Sequence, residues 1–139
     1  MACRIRWEGH GVYRRFYGTV TAADFRSACE EISNDPRYDD IRYVISDFVE
    51  AQPAFGEQET RELAHLERRR FFASPDIVNA VVAADHRILG CVPYIEDLHL
   101  APCPTAIFAT VDDARHWIAA NPRLYWVRRQ AGAEQLAAG

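Results

Sequence analysis

The chain has no long apolar run: its longest, Ile77 to Ala84, is interrupted by Asn79 and falls far short of the roughly 20 residues a membrane-spanning helix needs. No membrane span is therefore expected. Nor do the first residues assemble the apolar stretch of a secretory leader, because Arg4, Arg6, Glu8, Arg14 and Arg15 break it up. A cytoplasmic location follows as an expectation. A large excess of either charge is missing too. With 16 basic and 20 acidic residues the formal charge is -4, so neither nucleic acid nor an anionic membrane is favoured by long-range attraction.

Cysteine is present but unpatterned. Cys3, Cys29, Cys91 and Cys103 match no disulfide framework, and free thiols are expected, with Cys29 acting as a small hydrophobe on the apolar stripe of a helix. Cys91, His99, Cys103 and His116 are types that suit zinc, yet they lack the close ligand pairs of compact zinc sites. No family signature surrounds Cys91 that would make it a nucleophile. Neither metal nor cofactor is expected. Internal repeats, low-complexity tracts and linkers are also missing.

What remains is one globular domain: 139 residues with 49% hydrophobic and 26% charged side chains support a sizeable core and leave no room for a second domain. Cys3 to Glu8 and Val12 to Val20 are rich in β-branched and aromatic residues, and Gly9-His10-Gly11 between them offers positive-φ positions for a hairpin. Thr21 with Asp24 forms a capping pattern ahead of Phe25, Ala28, Cys29 and Ile32 at helical spacing, and Asn34-Asp35-Pro36 ends that helix.

A strand is expected from Tyr43 to Phe48, a turn from Gln52 to Gly56, and a long helix from Glu57 to Phe72 with acids at its start and Arg68-Arg69-Arg70 at its end, complementing the macrodipole. Ile77 to Ala84 reads as a strand covered on both faces. A third helix would use Ile88, Val92, Ile95 and Leu98, kinked or broken at Gly90 and Pro93. Thr105 to Ala109 is a short strand, and Thr110 with Asp113 caps a helix packing Ala114, Trp117 and Ile118. The order β-β-α-β-α-β-α-β-α implies an α/β fold, with an N-terminal hairpin, a mixed but mainly parallel sheet and flanking helices.

That order over residues 1–120, with Trp7, Gly11-Val12-Tyr13, Phe16, Gly18, Arg42-Tyr43-Val44-Ile45, Asp47-Phe48, Ala114-Arg115 and Trp117, resembles the STAS domain, and its wording is similar to the SpoIIAA-like family of bacterial proteins. The resemblance implies a STAS-like domain over 1–120. Residues 121–139 form a C-terminal extension whose apolar Tyr125 and Trp126 need burial, on the domain or on a second subunit. In anti-sigma factor antagonists of this family an acidic residue at the strand end is followed at once by a phosphorylated serine or threonine. Here Asp47 matches the acid, but Phe48 and Val49 follow it. No phosphoacceptor is therefore expected, and a phosphate there would meet Glu50, Glu57 and Glu59.

Asp47, at the predicted strand end, sits where open α/β sheets place ligands, or else caps the following turn. Asp85 and His86 end another predicted strand, so the three would converge on one rim. An Asp–His pair supports acid–base work when a pocket tunes the imidazole; otherwise Asp85 is an N-cap and His86 an exposed first-turn residue. Phe48 and Phe55 border the same end. No convincing catalytic constellation emerges. The expected function is a non-enzymatic interaction or regulatory module, bound to an unknown protein or to itself as a homodimer. The alternative is a carrier of a small apolar, lipid-like ligand on the rim near Asp47.

Overall fold

The computed structural model describes residues 2–121, so the Tyr125–Trp126 pair and nearly all of the 121–139 extension lie outside the described residues. Strands β1 (Cys3–Trp7), β2 (Gly11–Val20), β3 (Tyr43–Pro53), β4 (Val78–Val82) and β5 (Thr105–Phe108) are joined by helices α1 (Ala22–Asn34), α2 (Glu57–Ala73) and α3 (His86–Leu89), and α4 (Val111–Ala120) follows β5. Short 3-10 turns occupy Pro36–Asp40 and Leu98–Leu100. The strands lie in the order β1-β2-β3-β4-β5, with β1 antiparallel to β2 and every later pair parallel. The chain is thus an α/β protein with a mixed, mostly parallel sheet.

Both expected caps form. The Thr21 hydroxyl accepts the Asp24 N–H at 3.1 Å while the Asp24 carboxylate accepts the Thr21 N–H at 2.9 Å, and the Thr110 hydroxyl accepts the Asp113 N–H at 3.1 Å. Each satisfies N–H groups that a helix start leaves unpaired.

Alternation along the strands sorts side chains between two cores. Phe16, Phe48 and Val81 join Phe25 and Cys29 of α1, Leu63 of α2 and Ile88 of α3 on one face. Ile45, Val78, Ala80 and Val82 meet Ala114 and Ile118 of α4 on the other. Three layers result, with α4 resting on β3, β4 and β5.

Three expectations are corrected. The hairpin forms, but positive φ among the described residues occurs only at Gly18 and Tyr94. Gly11 is required for a different reason: a Cβ there would stand 2.2 Å from the Tyr43 ring. β3 does not end at Phe48 but runs to Pro53, which absorbs the start of the expected turn. Its register against β2 advances three residues, Asp47 to Glu50, while β2 advances two, Arg15 to Tyr17. This is a bulge that kinks the strand and prolongs it. The third helix ends at Leu89, the expected break, but Ile95 is exposed instead of continuing its apolar stripe.

Candidate functional site

α2 divides its residues between two environments. Leu63, Glu67, Arg70 and Phe71 recur at core spacing and are buried, while Arg61, His65 and Arg68 point outward. Charged side chains on an inward stripe are costly unless they are paired. Here they are: Arg14 of β2, Glu67 and Arg70 are 2%, 4% and 9% exposed. Arg14 Nη2 donates to Glu67 Oε1 at 3.0 Å and its Nε to Ser46 Oγ at 2.7 Å. Arg70 donates to Glu67 Oε2 and, at 3.1 Å, to Asn79 Oδ1. The Cys29 thiol donates to Glu67 Oε1 at 2.8 Å.

Burial alone would raise the Glu67 carboxyl, but Arg70 and Arg14 outweigh it and hold the group down at about 2. Burial, then Glu67, push the Cys29 thiol up to about 12, so it remains a neutral donor. This network ties α2 to β2, β3, β4 and α1 at once. The rotation of α2, and with it the direction of its outer face, is thereby fixed.

Against that outer face lies the segment that follows α3. Gly90 lets it leave close to α2, since a Cβ there would come within 2.8 Å of Thr60 Cγ2. Further on, Tyr94 holds φ 61°, a region that non-glycine residues rarely enter. Its ring is held in place from α2: Arg68 Nε donates to Tyr94 Oη at 3.0 Å, with the guanidinium 4.7 Å from the ring centroid. The space between is an open groove of about 500 Å³, lined by Arg61, His65 and Arg68 on one wall and by Pro93, Ile95 and Leu100 on the other. By contrast, the interior cavity that touches Phe48 and Arg14 holds about 20 Å³, the room of about one water.

Each residue singled out from sequence has a local structural role. Asp47 lies within β3 rather than at its end, 7% exposed. Its Oδ1 accepts the Val49 N–H at 3.0 Å and its Oδ2 accepts the Tyr13 hydroxyl. It therefore anchors the bulge. Phe48 points the opposite way, stacked on Phe16 at 4.4 Å between centroids, and shares the α1-side core with the buried Phe55. Asp85 accepts the Arg87 N–H at 2.8 Å as the cap of α3, and His86 is exposed. Among the described residues no group of three or more His, Cys, Asp or Glu side chains is placed to hold a metal.

No protein-family model matches the chain, and no curated protein matches its sequence significantly. Function has to come from the side chains themselves. Those bordering the groove carried a legible signal, because Arg61, His65 and Arg68 are spaced i, i+4, i+7 and so share a helix face. What faces them was not legible.

Proposed function

We propose that the chain is a non-enzymatic, STAS-like interaction or regulatory module that works without a phosphoacceptor hydroxyl and engages a protein partner through the groove between α2 and the segment after α3. The observation that carries this reading is the groove itself, about 500 Å³ of open space walled by outward α2 side chains and exposed apolar ones, in a domain whose buried charged side chains are already hydrogen-bonded. The nearest hydroxyl after Asp47 also supports it. Thr60 lies inside α2 and donates to the Gly56 carbonyl at 2.9 Å, so it is occupied in holding the helix start. The carrier reading, with an apolar ligand near Asp47, gains less support, because the cavity beside Phe48 has room for about one water.

Affinity capture from native lysate tests the proposal, comparing wild type with Leu100→Asp. Leu100 is 68% exposed, so the variant keeps its fold, which thermal melting checks. A partner recovered in constant proportion by wild type and lost by the variant is the expected result. Identical recovery by both, or a small molecule retained in native mass spectrometry with no protein partner, overturns it.

A further inference from the structure

We infer that the groove between α2 and the segment after α3 accepts an acidic, amphipathic peptide segment: carboxylates along the α2 wall and an aliphatic or aromatic side chain between Ile95 and Leu100. This deepens the interaction-module reading and rests on it. The chemistry of the occupant follows from which lining groups are already committed.

On the α2 wall the His65 side chain has no hydrogen-bond or ion-pair partner among the described residues. Among the described residues Arg61 is held only by Glu57, an i,i+4 pair whose side chains are 74% and 82% exposed, which a second carboxylate can replace or join. Arg68 gives its Nε to Tyr94 and keeps its guanidinium charge unmatched by any carboxylate among the described residues. Guanidinium groups recognise carboxylates with directed, paired N–H donors, so this wall selects acids over neutral polar groups.

The opposite wall supplies the apolar half. Ile95 and Leu100, 36% and 68% exposed, are two of the four large hydrophobic side chains left exposed among the described residues. An anchor placed between them would remove both from water. Both acids on this wall keep their charge: Asp97 accepts the His99 N–H at 3.1 Å, and Glu96, whose side chain has no partner among the described residues, can accept a backbone N–H from the same segment. A uniformly basic segment would leave Arg61 and Arg68 facing like charge. A fully apolar one would strip water from their guanidinium groups without replacing it. An anchor whose flanking acids face α2, with its backbone N–H groups turned towards Glu96 and Asp97, satisfies both walls.

Selection from a phage-displayed library of random dodecapeptides on the full-length chain tests the inference. Enriched sequences are expected to combine Asp or Glu with Leu, Phe or Trp. Binding of a selected peptide, read by fluorescence polarisation, should weaken by at least about tenfold in Arg61→Glu/His65→Glu, as expected for reversed charge at an interface, and comparably in Leu100→Asp. Both changes are at exposed positions, and melting curves verify the fold. Failure to enrich any peptide, enrichment of basic or neutral ones, or affinity untouched by these changes overturns the inference. If selection fails while lysate capture still depends on Leu100, the acidic chemistry is wrong and the interaction module stands.

Discussion

Arg14 and Arg15 are neighbours in β2, yet they inhabit opposite faces of the sheet and have little in common beyond their guanidinium groups. Arg14 is sealed beneath α1 and α2 with Glu67 and Ser46. Arg15 stands on the part of the sheet beside α4, paired with Glu50, both side chains substantially exposed at 40% and 56%. That open face is a ladder of arginine and tyrosine: Arg6 lies 5.0 Å from the Tyr13 ring and Arg115 lies 5.6 Å from it, while Arg4 and Arg15 flank Tyr17 at 5.7 and 5.9 Å. All 16 basic residues of the chain are arginine, so the contrast isolates environment from residue type. Buried, a guanidinium and its carboxylate become a structural joint, because neither tolerates loss of the other. In water the same pair is nearly free to exchange partners.

Breaking the buried joint should give the largest effect. Glu67→Ala leaves Arg14 and Arg70 without their carboxylate in a dry interior, and urea denaturation should show a loss of about 3–5 kcal/mol. A loss as small as that of a surface pair would erase the distinction between the faces. Next comes Asp47→Ala, which removes the acceptor for Tyr13 and Val49 at the bulge and should cost roughly 1–3 kcal/mol. The same substitution should leave lysate capture intact, since Asp47 is an anchor of β3 and not part of the groove.

Acid sharpens the comparison further. The Glu67 carboxyl is held at about 2 against an ordinary 4.5, so as pH falls below 4.5 the unfolded chain takes up a proton that the folded chain refuses. Stability from this group is complete above about 4.5 and declines as pH drops towards 2. Glu8 acts in the same direction: burial opposes it, but Arg115 and Tyr43 hold it down at about 2. Melting temperature measured across this window should fall for wild type and fall less steeply for Glu67→Gln. Smallest of all, Arg15→Ala should leave the melting temperature unchanged within error at moderate salt.

Much of the fold was legible because local chemistry announces it. Thr21 with Asp24 and Thr110 with Asp113 mark helix starts by the bonds they go on to make. The buried network was legible too, though only by periodicity: Val12, Arg14 and Phe16 alternate onto one strand face, and Leu63, Glu67, Arg70 and Phe71 fall on one helix stripe. Treating Arg68-Arg69-Arg70 as a single basic end obscured this, since consecutive helical residues point about 100° apart and only Arg70 turns inward. Less could be foreseen where one element depends on another. The bulge follows from pairing with β2, and the carboxylate thought to end a strand instead stabilises its continuation. No residue pattern marks Tyr94 as the place where the backbone crosses into positive φ, so the groove wall it helps build becomes visible only in three dimensions.

The burial of Cys29 has a practical consequence. Its thiol lies 2.8 Å from Glu67 Oε1 and 3.3 Å from Arg14 Nη1, and all four cysteines are free and buried. A thiol-specific reagent can therefore reach it only when α1 and α2 part, so its labelling rate, followed at Cys29 by peptide mass spectrometry to separate it from the other three thiols, is a clock for the opening of that seam. The clock should run faster once the Glu67 carboxylate is gone, and the wild-type chain already carries the cysteine it needs.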